Sequence, residues 1–103
     1  MTQLWPKKKI EIVVEAARVR ALLQMIDAAG AKGYTVVSNV SGRGHRGIRD
    51  DAHLSDVFGN MLIIVVAAED IAARIVAASQ SLLENYAGIV VVSDVAVVRD
   101  EHF

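Results

Sequence analysis

The sequence predicts an α+β sandwich of the ferredoxin-like kind, with its elements in the order β-α-β-β-α-β. Two observations carry this prediction. Apolar residues alternate with period two in some segments and recur at helical spacing in the segments between them. Each helical segment lies between two strand segments, which gives two strand–helix–strand crossovers around an antiparallel pair of strands.

The first strand is predicted at Lys9–Glu15, because its apolar and charged residues fall on opposite faces. Residues 1–7 are expected to form a loose tail that Pro6 closes. The first helix is predicted over Arg18–Ala29, where apolar residues recur at i, i+3, i+4 and i+7 and Gly30 marks the end. The apolar positions are Ile10, Ile12 and Val14 in the strand and Val19, Leu22, Leu23 and Ile26 in the helix.

The middle of the chain predicts two strands joined by a long loop. Tyr34–Val40 has strand composition, and Ser41–Asp56 is polar and glycine-rich, which is typical of a loop. Val57–Ala68 is almost unbroken in its apolar character, so we expect a strand that is buried on both faces.

The last third predicts a helix and a final strand. Glu69 and Asp70 favour a helix N-terminus, and apolar residues then recur at helical spacing until near Asn85. A turn is expected at Ala87–Gly88, followed by a strand at Ile89–Val92. Two possibilities remain for the residues after it, since Val95–Val98 either extends this strand or forms a short extra one.

Composition excludes several classes of protein. The chain has 103 residues, a net charge of −1 and no cysteine, which argues against bulk-charge binding of nucleic acid and excludes disulfides and thiol chemistry. The longest apolar run, Met61–Ala68, is too short to span a membrane, and the first nine residues do not resemble a signal peptide. We therefore expect a cytoplasmic protein that is not membrane-inserted. Mean hydropathy is +0.38, which is high for so short a chain and predicts a homo-oligomer.

A basic, glycine-rich stretch is the most informative motif. Arg43, Arg46 and Arg49 lie at intervals of three, with glycines between them and no acidic residue. Guanidinium groups bind phosphate through charge-assisted hydrogen bonds of about 1.5–3 kcal/mol each, and glycines let backbone N–H groups approach an anion. The stretch therefore indicates an anion site, most readily for phosphate. The alternative is a solvated basic loop balanced by three acidic residues, Asp50, Asp51 and Asp56.

Other chemistry fits this stretch less well. Its glycines match a G-x-G-x-x-G pattern, but they do not open a helix as a dinucleotide-binding fold requires. The stretch also lacks the interleaved aromatic residues that are typical of RNA binding. His45, His53 and the neighbouring aspartates follow no recognised metal-ligand spacing. No pair of residues resembles a nucleophile with its base, so we expect no enzymatic activity.

A second motif joins the second helix to the last strand. Asn85–Ile89 contains small residues that allow a ligand to approach the backbone, although Gly88 also suits a plain helix C-terminus. We consider this motif a candidate ligand-binding segment only in combination with the arginine stretch.

Taken in order, these motifs resemble the PII signalling superfamily over about residues 8–103. The segments that carry the resemblance are Gly30–Val36, Gly42–Arg49, Ser55–Asp56, Asn60 and Asn85–Ile89. They are similar in particular to carboxysome-associated PII-like proteins and to PII-like regulators of bicarbonate transport. The resemblance implies a single PII-like domain over residues 1–103, a homotrimer, and adenine-nucleotide sites in clefts between subunits.

The resemblance also implies roles for individual residues. Residues 41–56 correspond to the T-loop, which contacts partners and changes its order with ligand. Arg43, Arg46 and Arg49 match the phosphate-holding base of that loop, and Gly44 and His45 match backbone-donor positions between them. The B-loop that closes over the nucleotide is matched by Tyr86, Ala87 and Gly88.

Departures from the family pattern indicate which ligand and role to expect. Residues 41–56 contain no tyrosine for uridylylation, and the 85–88 segment lacks the lysines that suit a triphosphate. We therefore expect a non-enzymatic sensor of ADP or AMP, with bicarbonate as a co-ligand, that regulates inorganic-carbon uptake or a carboxysome-linked bicarbonate transporter. Two alternatives remain, a nitrogen-regulatory PII protein that senses ATP, ADP and 2-oxoglutarate, and a trimeric metal-tolerance protein of the same fold.

Overall fold

The computed structural model describes residues 2–44, 47–49 and 59–103, and within these the side chains of residues 43, 44 and 47–49 are not described. The described residues have the predicted ferredoxin-like β-α-β-β-α-β order, with a small hairpin added. The elements are β1 (Trp5–Glu15), α1 (Ala16–Ala28), β2 (Thr35–Val40), β3 (Gly42–Gly44), β4 (Gly47–Arg49), β5 (Asn60–Ala67), α2 (Glu69–Leu82) and β6 (Gly88–Val97), followed by a 3-10 turn (Asp100–His102).

Four strands form one sheet in the order β2-β5-β1-β6, and each pair of neighbours is antiparallel. The central strand, β1, pairs Ile12 with Ile63 of β5 on one side and with Val90 of β6 on the other. Both helices pack against the same face of the sheet and bury the apolar stripe of each element there. The buried core consists of Ile10, Ile12, Val14, Leu22, Ile26, Ile63, Val65, Ala67, Ala72, Ile75 and Leu83.

The expected N-terminal tail is wrong for residues 5–7. These residues belong to β1, which begins at Trp5 rather than Lys9 and pairs Trp5 with Val97 and Pro6 with Ala96. Proline is tolerated at position 6 because β5 pairs with β1 only as far as Lys8. Pro6 therefore has one neighbouring strand among the described residues, as at the edge of a sheet.

The long loop predicted at residues 41–56 is also partly wrong. Gly42–Gly44 and Gly47–Arg49 form the two strands of a hairpin, with Gly42 paired to Arg49 and Gly44 to Gly47. Residues 45, 46 and 50–58 lie outside the described part of the chain. Apolar content gave no sign of this hairpin, because its strands are three residues long and consist mostly of glycine and arginine.

The remaining boundaries shift by a few residues. The strand expected from Val57 begins at Asn60. Its helix-covered face is buried from Ile63 to Ala67, whereas its other face is only partly buried there. Helix α2 ends at Leu82 rather than near Asn85. The last strand is a single element from Gly88 to Val97, which decides between the two possibilities for Val95–Val98. Within the described ranges, no helix is long and apolar enough to cross a membrane.

Candidate functional site

The segments that carry both sequence motifs begin at the same end of the sheet. Val40 at the end of β2 and Glu15 at the end of β1 are both paired with Asn60 at the start of β5. Val14 is paired with Gly88, the first residue of β6. The β2–β5 connection, which holds the arginines, and the connection from α2 to β6 therefore leave the sheet at one end.

The structure places three of the predicted anion-binding residues on the hairpin. Arg43 and Gly44 lie on β3, and Arg49 lies on β4 opposite Gly42. Their backbones are thus held on two neighbouring strands just beyond the end of β2. His45 and Arg46 lie outside the described residues.

The other three predicted residues form the 85–88 turn, our name for Asn85–Gly88. The Tyr86 N–H donates to the Leu83 carbonyl at 3.1 Å, and the Tyr86 side chain is 43% exposed. Gly88 does not cap the helix, because α2 has already ended at Leu82. A Cβ atom on Gly88 would lie 3.1 Å from Leu83 Cδ1 and 3.3 Å from Val14 Cγ1, so close packing is what favours glycine here.

Arg18 is a neighbour of this turn that sequence reasoning missed. Its guanidinium carbon lies over the Tyr86 ring, 3.8 Å from the ring centroid, which is cation–π geometry. In the sequence, Arg18 is simply a polar residue off the apolar stripe of α1. No local signal could have linked it to Tyr86, because the two residues meet only when β1 and β6 pair.

The start of α1 also contacts the far end of the β2–β5 connection. The Ala16 N–H donates to the Gly59 carbonyl at 2.7 Å. The first turn of α1 therefore lies between the 85–88 turn and the residues that lead into β5.

Charged residues at the opposite end of the sheet form ion pairs of their own. Lys7 Nζ lies 2.6 Å from Asp100 Oδ1, and Lys8 pairs with Asp94. The hydrogen bond from Lys8 to Asp94, with the charge of that carboxylate, raises the pKa of Lys8. Across the described ranges, no group of three or more His, Asp or Glu residues is placed to hold a metal ion.

Comparison with known proteins decides the family. The model of the family described as "Nitrogen regulatory protein P-II" matches residues 7–102. The chain belongs to the P-II family. Proteins of this family are signalling proteins, and the family carries the ferredoxin-like fold seen here.

Two similar solved structures are of CPII, a nitrogen regulatory PII-like protein from Thiomonas intermedia K12. One is bound to ADP, AMP and bicarbonate; it is 32% identical, with a TM-score of 0.92 over 100% of this P-II chain and 98% of that chain. The other is bound to ADP and bicarbonate; it is 35% identical, with a TM-score of 0.89 over 100% and 99% of the two chains.

A third structure, GlnK from B. subtilis in complex with ATP, shares the fold at greater distance. It is 19% identical, with a TM-score of 0.65 over 87% of this chain and 82% of that chain. The resemblance to PII-like proteins that the motifs suggested is therefore confirmed, and the fold it implied is confirmed with it.

Proposed function

We propose that this P-II chain is a signalling protein that binds ADP or AMP, with bicarbonate as a co-ligand, in clefts between the subunits of a homotrimer. The observation that carries the proposal is the likeness to CPII, which was solved with ADP, AMP and bicarbonate and is matched along the whole of this chain. The arrangement of the two motifs at one end of the sheet supports it independently.

The proposed phosphate contacts come from the basic, glycine-rich stretch of the sequence. Arg43, Arg46 and Arg49 supply positive charge, and the backbone around Gly44 and His45 supplies N–H donors. On the other side of the nucleotide, Tyr86, Ala87 and Gly88 close the site. A bicarbonate ion beside these arginines is chemically reasonable, since a small anion is held by the same charge-assisted donors.

Sheet order supports a site built from two subunits. The hairpin follows β2, the 85–88 turn precedes β6, and these strands are the opposite edges of the sheet. Neighbouring strands are about 4.8 Å apart, so the two edges of one subunit are about 14 Å apart. A cleft in which the hairpin of one subunit faces the 85–88 turn of another brings the two halves together.

The two edge strands carry the exposed apolar surface that an oligomer would bury. Val36 and Val37 of β2 are 36% and 40% exposed, and Val91 and Val92 of β6 are 47% and 45% exposed. Strand β2 has no charged residue, and β6 has only Asp94. Long, uncharged edges of this kind promote association with another chain, which supports the homotrimer.

We place the cellular role in inorganic-carbon uptake, with a bicarbonate transporter or a carboxysome component as the partner in the cytoplasm. The bicarbonate bound to CPII, which is 32% identical to this chain, supports a role connected with inorganic carbon. No observation in the described residues favours the metal-tolerance alternative, whose candidate ligands His45 and His53 lie outside them.

The test is isothermal titration of the wild-type protein with ADP, AMP and ATP, each with and without bicarbonate. We expect ADP or AMP to bind, bicarbonate to tighten that binding, and light scattering to report a trimer. Chloride at equal ionic strength and pH is the control for the co-ligand. Absence of binding by every adenine nucleotide would contradict the proposed function, and a stable monomer would contradict the cleft between subunits.

A further inference from the structure

The contact between Arg18 and Tyr86 joins two parts of the chain that are far apart in sequence. Arg18 is in the first turn of α1, immediately after β1, and Tyr86 is in the 85–88 turn before β6. The guanidinium carbon lies 3.8 Å from the centroid of the tyrosine ring. The stack therefore connects the first turn of a helix to a turn that the proposed function assigns to the nucleotide site.

Within the described part of the chain, the Arg18 guanidinium lies on the Tyr86 ring. Its Nε atom is buried and has no hydrogen-bond acceptor there. The three ion pairs among the described residues involve other cations, Lys7, Lys8 and Arg74. The Tyr86 ring therefore fixes the orientation of the guanidinium, and the guanidinium fixes the orientation of the ring.

Before Gly88, which is paired with Val14, the turn has few other restraints among the described residues. Its backbone hydrogen bonds are from Tyr86 N to Leu83 O at 3.1 Å and, just before the turn, from Glu84 N to Ser81 O at a long 3.4 Å. The Tyr86 ring is almost half exposed, so packing holds it on one side only. The first turn of α1 is better anchored, since the Ala16 N–H donates to the Gly59 carbonyl at 2.7 Å.

We propose that Arg18 is a positioning residue of the nucleotide site. It holds the Tyr86 ring, and with it the 85–88 turn, in the conformation that closes over a purine nucleoside diphosphate or monophosphate. Arg18 acts through Tyr86 and need not touch the ligand. This inference rests on the proposed function, because that function gives the 85–88 turn its role.

The test is a double-mutant cycle on the full-length protein, read by isothermal titration with ADP. Arg18→Ala should weaken ADP binding about 2- to 30-fold, the range that corresponds to one cation–π contact. Tyr86→Leu removes the ring, and Arg18→Ala combined with Tyr86→Leu should bind no more weakly than Tyr86→Leu alone. Tyr86→Phe keeps the ring, so Arg18→Ala should weaken ADP binding by the same factor in the Tyr86→Phe background as in the wild type. Arg20→Ala is the matched control, an exposed arginine two residues further along the same helix.

Amide hydrogen exchange of the ligand-free protein gives a readout that does not depend on the nucleotide. Arg18→Ala should speed exchange at residues 84–88, whereas Arg20→Ala should leave it unchanged. Equal ADP affinity in Arg18→Ala and the wild type, or additive losses in the double variant, would overturn the positioning role. A wild type that binds ADP while Arg18→Ala is unaffected contradicts this inference alone. A wild type that binds no adenine nucleotide contradicts the proposed function, and this inference with it.

Discussion

Val14, the last buried residue of β1, is paired with Gly88, the first residue of β6, and the fit between them leaves no room for a larger side chain. A Cβ atom at position 88 would lie 3.3 Å from Val14 Cγ1 and 3.4 Å from the Val13 carbonyl oxygen. The packing at this end of the sheet, where the proposed site lies, therefore requires glycine at position 88.

We predict that Gly88→Val destabilises the fold by about 1–3 kcal/mol, because a branched side chain overpacks the contact with Val14 and Leu83. Denaturant unfolding followed by circular dichroism measures this. Gly33→Ala is the control, since nothing lies within 4 Å of a Cβ there and its φ is not in the left-handed region. It should leave stability unchanged or raise it by about 0.4–1 kcal/mol. Equal stabilities of the two variants would contradict the prediction.

Removal of one arginine from the basic stretch should weaken nucleotide binding without unfolding the protein. We predict that Arg46→Ala or Arg49→Ala costs about 1.5–3 kcal/mol of ADP binding, the worth of a charge-assisted hydrogen bond. Titration calorimetry measures the affinity, and a thermal melt checks the fold. Arg99→Ala, an exposed arginine beyond the end of β6, should bind normally. Unchanged affinity in both stretch variants would mean that these arginines are only solvated charge.

The segment after β6 should be held in place by one ion pair. Lys7 Nζ lies 2.6 Å from Asp100 Oδ1, with the lysine side chain only 10% exposed and the aspartate 52% exposed. We predict that Asp100→Ala lowers the free energy of unfolding by about 0.5–1 kcal/mol, and that added salt reduces the difference. Glu101→Ala is the matched control, because Lys32 Nζ bonds the Glu101 backbone carbonyl and not its side chain. A loss from Asp100→Ala that is independent of salt would speak against the ion pair.

The pair between Lys8 and Asp94 makes stability depend on pH in the alkaline range. Asp94 raises the pKa of Lys8 in the folded protein above its unfolded value, so the folded state binds the proton more tightly. The resulting stabilisation is complete below about pH 10 and is lost as the pH rises through the folded pKa.

We predict that Asp94→Asn makes the fall of the melting temperature above about pH 10 shallower than in the wild type. Asp27→Asn changes an exposed aspartate on α1 and should keep the wild-type slope. Identical slopes in the wild type and Asp94→Asn would show that the pair has no effect on stability.

The period of the apolar residues was enough to predict the ferredoxin-like order. Each main element buries one face, so its apolar residues recur at the spacing of a strand or of a helix. Ile10, Ile12 and Val14 show this for β1, and all three are fully buried. The start of β1 was missed because Pro6 normally ends a strand, whereas here a partner strand that comes much later in the chain continues past it. The β3–β4 hairpin was missed because its strands, at three residues each, are too short to show an apolar period.

The candidate site was predictable as two motifs but not as a three-dimensional arrangement. Arginine spacing indicated the anion-binding stretch, and small residues indicated the 85–88 turn. Their placement at one end of the sheet follows from strand order, which no local pattern encodes. The stack of Arg18 on Tyr86 is a consequence of that order, so it could be found only in the folded chain.

Strand order also has a consequence for how the protein is made. The central strand β1 is synthesised first, yet both strands that pair with it, β5 and β6, lie much later in the chain. At about 5–20 residues per second, its apolar residues wait for several seconds on the ribosome before either partner exists. The three consecutive lysines at the start of this strand, Lys7, Lys8 and Lys9, place positive charge beside that unpaired apolar segment. Because charge beside an apolar strand opposes aggregation, we expect these lysines to protect the nascent chain before two of them form ion pairs in the folded protein.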